Sequence, residues 1–388
     1  MASIGNPKND VIIIGAGIIG CSLAYHLCKL GCTDVLILER EAFAGTGSTS
    51  KANGGIRAQF STEMNIEMSL LSMRLLDKMD AEMLSEIGYK KTGYLFVTAD
   101  ENRWRVLWQN VAFQKEHGVS VELLTQNQVA EKIPFAKTDD LIGGSFGARD
   151  GFIDPNGLLN AFLTRALAMG AQYQPNAKVT DLIRQNGSIV GVKTTACDFR
   201  AEKIVNCAGP WAKEIAQMAG VDLPVEPVRR QIVVTGPTDK VPRVFPMIVD
   251  TDTGLLARRE GDGVGLAYSN PDEPPGQRWI FDPDFIEVIA PKMLKRFPIL
   301  EDAGIDFRKS WAGCYEVTPD HHAIIGESGV QGFYLCNGFS GHGVMHAPAA
   351  GYLLAEMLVK GKSEKLDIAS LSLRRFAEGK LLHEVNVL

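Results

Sequence analysis

Asp10-Val11-Ile12-Ile13-Ile14-Gly15-Ala16-Gly17-Ile18-Ile19-Gly20 is the stretch whose reading decides the fold. An apolar, β-branched run reads as a buried strand, and G-x-G-x-x-G reads as the turn that feeds it into a helix. Gly15 permits the tight turn, Gly17 lets backbone N–H groups approach a pyrophosphate at the positive end of the helix, and Gly20 allows close helix-to-strand packing, with Ala16 and Ile18 carried between them. The surroundings agree. An amphipathic stretch runs to Leu30, Gly31 stands where a helix cap belongs, Val35 to Leu38 reads as a second strand, and Glu39 follows it, placed to hold ribose hydroxyls. Three glycines alone make a tight turn; strand, helix and acid at these offsets make a dinucleotide cradle. NAD and FAD both stay open at this point, because each presents an adenosine diphosphate to such a unit.

The 388 residues, 45% hydrophobic, suffice for a large core divided into about two domains. A formal charge of -6 leaves no basic footprint for nucleic acid, and no block of like charges forms a tail. The longest apolar stretch, Val11 to Leu30, is broken by glycines, His26 and Lys29 and is already claimed by strand and helix, so no transmembrane segment is expected. Met1 to Asn9 is short and polar and has neither a signal-peptide layout nor an Arg-rich transit pattern; the expected location is cytoplasmic. Seven cysteines form no C-x-x-C pair and no zinc quartet, which reads as small buried hydrophobes in a reducing compartment. His342 and His346 have i, i+4 spacing but no further ligands in view, so no metal is expected.

Further along, Gly45 to Arg57 is a loop rich in glycine and hydroxyls, and Thr62 to Leu84 has helical apolar spacing. Asp154 caps a helix that Gly170 closes, and Asn186-Gly187 marks a hairpin between Ala177 and Val192. Lys203 to Trp211 is a second strand that meets a glycine and then a helix. From Pro224 to Pro298 the pattern changes to paired arginines, prolines and strand-like segments, which reads as a second, mostly antiparallel domain. The tail returns to the first pattern: strand Gly332 to Cys336, the loop Asn337 to Gly343, and a helix through Leu358. Nucleotide-binding units at both ends of the chain imply a discontinuous domain.

With the cradle at the start, Asn206-Cys207-Ala208-Gly209-Pro210-Trp211 in the middle and Gly338-Phe339-Ser340-Gly341-His342-Gly343 near the end, the chain resembles the D-amino-acid oxidase superfamily. Trp311-Ala312-Gly313-Cys314-Tyr315-Glu316-Val317-Thr318-Pro319-Asp320-His321-His322 matches its sarcosine oxidase (β-subunit-like) and glycine oxidase branch. The resemblance implies an α/β fold with an α+β second domain: a Rossmann-like FAD-binding domain, from residues 1–85, 145–220 and 320–388, and a mostly antiparallel substrate-binding domain, from 86–144 and 221–319. It implies FAD contacts at Gly15, Ala16, Gly17, Ile18, Gly20, Glu39 and Arg40 for the adenosine diphosphate end. Ser48, Thr49, Asn53, Gly54 and Gly55 would lie beside the flavin, Val179, Ala208 and Gly209 near the nucleotide, and Phe339, Ser340, Gly341, His342, Gly343, Val344 and Met345 under the pyrimidine side of the ring. A helix N-terminus there would stabilise the charge of a reduced ring.

In that branch Arg57 stands where a carboxylate-binding arginine is placed, and Tyr315 and His322 become candidates to orient or deprotonate the substrate amine. Three departures matter. The lysine that anchors carboxylate after the glycine loop aligns with Met345, which leaves Arg258 as a candidate second anchor. The cysteine that links flavin covalently aligns with Gly313, so non-covalent FAD is expected. The lysine associated with oxygen activation aligns with Gly265, which favours a dehydrogenase over an oxidase. The implied activity is hydride transfer from the carbon of a secondary or N-substituted amino acid (sarcosine-, proline- or opine-like) to flavin N5, giving an imine that hydrolyses. The substrate would be a small amino acid with a carboxylate, and the acceptor a partner subunit or quinone rather than oxygen. Two alternatives stay open: a catalytic β-type subunit of a hetero-oligomeric amine dehydrogenase, or a non-catalytic FAD-binding respiratory-complex assembly factor. The latter also resembles this chain at Arg375-Phe376, Gly379 and Glu384-Val385-Asn386.

Overall fold

The computed structural model describes residues 8–79 and 81–384; Val385 and Asn386 of the C-terminal likeness lie outside them. Strand Lys8–Ile14 runs through the middle of the first sheet, parallel to Val35–Leu38 on one side and Asp198–Asn206 on the other. Its Val11 and Ile13 enter one core and its Ile12 and Ile14 another, which is why the run is apolar without alternation. The sheet continues from Asp198–Asn206 to Phe333–Asn337 and Ile324–Glu327, and from Val35–Leu38 to Gln172–Gln174. Val179–Gln185 and Ser188–Thr194 join it as an antiparallel hairpin, with Asn186 and Gly187 both at positive φ, as a two-residue turn of this kind requires.

Helix Ile18–Lys29 packs between Gly343–Lys360 and Pro155–Ala168 on one face of that sheet. The first two approach so closely that a Cβ on Gly351 would lie 2.3 Å from Ser22 Oγ, which donates to the Ala347 carbonyl at 2.7 Å. Helix Ala212–Met218 covers the opposite face. Pro155–Ala168 begins at the expected cap, with Asp154 accepting from the Asn156 N–H and Pro155 in the first turn.

The second sheet runs Trp311–Val317, Glu226–Val234, Gly263–Tyr268, Leu255–Glu260, Met247–Asp250, Tyr94–Thr98, Gly143–Gly147, Glu122–Thr125. Its pairings are antiparallel except where Met247–Asp250 meets Tyr94–Thr98. Gly143–Gly147 lies wholly in this sheet, so its last residues extend past the 86–144 segment. The single helix expected over 62–84 is two, Glu63–Leu76 and Ala81–Ile87. Asp77, which ends the first, pairs with Lys91 at 2.5 Å and Arg149 at 2.6 Å. Among the described residues no helix is long and apolar enough to cross a membrane.

Candidate active site

At Gly15, φ is +106° and a Cβ would lie 2.5 Å from the Cys207 carbonyl oxygen; at Gly20 it would lie 2.1 Å from the carbonyl oxygen of Gly15. Above Gly17 a Cβ would touch only Thr49 Oγ1, at 3.6 Å, so the space there is open. Thr49 Oγ1 accepts from the Ile18 N–H at 3.1 Å and ties the glycine-rich loop to the start of the helix. Glu39 is 8% exposed, and its carboxylate accepts from the N–H groups of Ala16 and Glu41. Each of its oxygens keeps lone pairs for a hydroxyl in the cleft.

From this cradle a cleft of about 770 Å³ runs to the strand Trp311–Val317, where Cys314, Tyr315 and Glu316 line it. The Glu316 carbonyl accepts from the Ser340 N–H at 2.9 Å. Its carboxylate accepts from the N–H groups of Gly338 and Phe339, so strand and glycine loop are fastened at two levels. Burial pushes this carboxyl up to about 7, and its Oε2 is buried without a partner while the residue lines the cleft. The loop leads into helix Gly343–Lys360, whose N-terminus has no side-chain cap; Gly343 and Val344 line the cleft there. A positive helix end and an acid in the neutral range thus meet at one end of the space.

Of the residues expected at a cofactor, Gly15, Gly17, Ile18, Glu39, Arg40, Ser48, Thr49, Val179, Ala208, Gly209, Phe339, Gly341, Gly343 and Val344 line this cleft, as does Tyr315. Ala16, Gly20, Gly54, Gly55, Ser340, His342 and Met345 are not among its lining residues. A Cβ on Gly54 would lie 2.2 Å from the Ile153 carbonyl oxygen, and Ser340 Oγ accepts from the Thr318 N–H at 3.1 Å. Asn53 lines a smaller hollow next door.

Arg57 does not line the cleft: it is 1% exposed, lies 3.9 Å over the Phe60 ring and donates to the Gln59 carbonyl at 2.5 Å. Its charge still reaches Tyr315, whose phenol burial pushes up and Arg230 and Arg57 pull back. His322 is set apart from the cleft as well. One ring nitrogen meets Thr62 Oγ1 at 2.8 Å and the other the Asp320 carbonyl at 2.7 Å, in a buried network that includes Arg375. Arg258 is held by Asn53 and, at 2.5 Å, by Glu260.

Sequence reading missed Glu316, although it sits inside the quoted segment, and Trp279, which lies in a proline-rich stretch with no periodic signal. Trp279 stacks on Trp211 at 5.3 Å, and Arg40 lies 4.5 Å over Trp211. All three line the cleft and join its two sides.

The arrangement fits FAD: an open space over Gly17, an acid beside it, and a helix start with an unpartnered carboxyl oxygen at the far end. Gly313 carries no linking thiol, and Cys314 Sγ donates to the Arg278 carbonyl at 3.2 Å. Residues 10–357 match the family described as DAO, FAD dependent oxidoreductase. The chain is 32% identical to FAD-dependent oxidoreductase domain-containing protein 1 of Xenopus laevis, over 98% of this chain and 85% of that protein. It is 30% identical to mitochondrial sarcosine dehydrogenase of Homo sapiens over 95% of this chain, which spans 41% of that longer protein. The crystal structure of L-proline dehydrogenase from P. horikoshii superposes with a TM-score of 0.90 at 30% identity, covering 97% of this chain and all of that one. The chain belongs to the DAO family of FAD-dependent oxidoreductases, and its cofactor is FAD.

Proposed function

We propose that the protein oxidises a secondary or N-substituted amino acid of the sarcosine, proline or opine kind at its C–N bond, as a dehydrogenase. The observation that carries this reading is Tyr315, which lines the cofactor cleft from the second sheet beside the uncapped helix start. The names of the sarcosine and proline dehydrogenase relatives support the substrate class. FAD, when bound, would supply the two-electron acceptor for oxidation of the C–N bond to an imine, which water then hydrolyses.

The residues of this chain bind and orient. Gly15, Gly17 and the helix start at Ile18 hold the pyrophosphate and Glu39 a ribose. The positive start of Gly343–Lys360 favours the negative charge that arrives with the electrons. Tyr315 orients the amine, and a neutral amine needs positioning more than a strong base. Arg57 acts through its charge, its guanidinium lying over the Phe60 ring with Nη1 donating to the Gln59 carbonyl. His322 has no free ring nitrogen for this chemistry.

The acceptor in this reading is a partner subunit or quinone. Arg258, the cation beside Gly265, is paired with Glu260, which leaves no unpaired charge at that position to stabilise superoxide. Anaerobic mixing of holoenzyme with sarcosine, dimethylglycine and L-proline tests the proposal by loss of the visible flavin band. Failure of every amine to bleach the flavin sinks the substrate class, and fast reoxidation by air with stoichiometric peroxide sinks the dehydrogenase reading.

A further inference from the structure

Beside the cleft lies a second hollow of about 60 Å³, and Ser48, Ala52, Cys314 and Tyr315 line both spaces. Its charged lining residues are Lys51 and Arg230, and no aspartate or glutamate lines it. Arg230 Nη1 donates to the Arg229 carbonyl at 3.0 Å, its guanidinium lies 5.5 Å from the centre of the Tyr315 ring, and its buried Nε has no partner. The adjacent arginines differ. Arg229 is paired with Glu273 at 2.9 Å and Asp282 at 3.3 Å, and Arg258 with Glu260 at 2.5 Å.

Lys51 is held in place from two sides. Its carbonyl accepts from Trp311 Nε1 at 2.9 Å, and its side chain lies on Gly313, where a Cβ would come within 2.5 Å of Lys51 Cβ. Gly313 is therefore the residue that makes room for the lysine, and it pairs with Arg230 across the two strands. Asn53, Gln231, Tyr268 and Ser269 add neutral polar lining.

No carboxylate lines the hollow and the buried Arg230 Nε has no partner, so an anion there satisfies a donor that has given up its hydration. A volume of about 60 Å³ holds a few waters, which suits a carboxylate and is too small for a nucleotide. We infer that this hollow is an anion subsite, with Arg230 and Lys51 as donors, that takes the carboxylate of the amino-acid substrate. A carboxylate held there leaves the amino end of the same small molecule at Tyr315, the residue shared with the cofactor cleft. The source of the carboxylate rests on the proposed function; the subsite does not.

The test titrates oxidised holoenzyme with pyrrole-2-carboxylate, and in parallel with pyrrole-2-carboxamide, reading the flavin spectrum. The carboxylate is expected to perturb the spectrum saturably and the carboxamide not. Arg230→Gln and Lys51→Met each raise the dissociation constant by at least about tenfold, and Arg230→Lys recovers part of it. An unchanged constant in both variants overturns the subsite, as does loss confined to Arg57→Lys. Arg230-dependent binding in a holoenzyme that no amine bleaches supports the subsite and overturns the function; bleaching with binding indifferent to Arg230 and Lys51 does the reverse.

Discussion

A methyl group on Gly341 would lie 2.5 Å from Cε2 of Tyr315, so the loop glycine and the strand tyrosine share one contact surface. With φ at +92°, Gly341→Ala is strained as well as crowded, and relief comes by displacing the Tyr315 ring. A shift of about 1 Å in a positioning group lowers the rate on the order of 10²-fold. Flavin reduction is expected to slow by that order, with about 1–3 kcal/mol of lost stability. Stopped-flow reduction and thermal unfolding read the two effects separately; a normal reduction rate rules out the positioning role of Tyr315.

Gly15→Ala forces the strand-to-helix turn away from the Cys207 carbonyl and is expected to give protein purified without FAD. Gly31→Ala is the matched control: it too has positive φ, at +89°, but a Cβ there meets nothing within 4 Å. The ratio of flavin to protein absorbance checks this, and equal flavin content in both variants contradicts the cradle.

Burial raises the Glu316 and Asp150 carboxyls from the ordinary carboxylate range to about 7. The fold therefore keeps these protons while the unfolded chain loses them, so their stabilising contribution falls as pH rises from the unfolded value to about 7. Buried His26 and His346, lowered to about 3, act in the opposite direction through the unfolded histidine value of 6.5. The difference between Glu316→Gln and the parent isolates one group: the variant gains melting temperature relative to the parent as pH rises to about 7, then levels off. A pH-independent difference excludes buried ionisation of Glu316.

Glu384 accepts from the Ser61 N–H at 2.9 Å, Thr62 Oγ1 at 2.8 Å and Asn65 Nδ2 at 3.0 Å, closing the start of helix Glu63–Leu76 from the far end of the chain. Glu384→Ala strands these donors and is expected to destabilise by about 2–4 kcal/mol in denaturant unfolding, with FAD content retained. A loss well under about 1 kcal/mol shows the clasp to be replaceable by water.

The cradle was legible because its parts lie within one strand, turn and helix, and Gly15 and Gly20 each answer a close backbone contact a few residues or one strand away. Expected helix and strand positions held where local signals were complete, as at Asp154 with Pro155 and at Asn186 with Gly187. They failed over 62–84, where one continuous apolar pattern spans two helices.

Sequence alone determined the strand–glycine–helix unit and the order of the glycine loops, since hydrophobic burial and backbone freedom act on neighbouring residues. Tertiary structure alone decided which cations are spent. Gln59 and Phe60 enclose Arg57, Glu260 pairs Arg258, and Arg230 lines a hollow that no carboxylate lines. Strand alternation turns Arg229 and Arg230 to opposite faces, and the fold decides what each face meets. Glu273 and Asp282 form ion pairs with Arg229, while Glu273 reaches Arg230 only through its longer-range field.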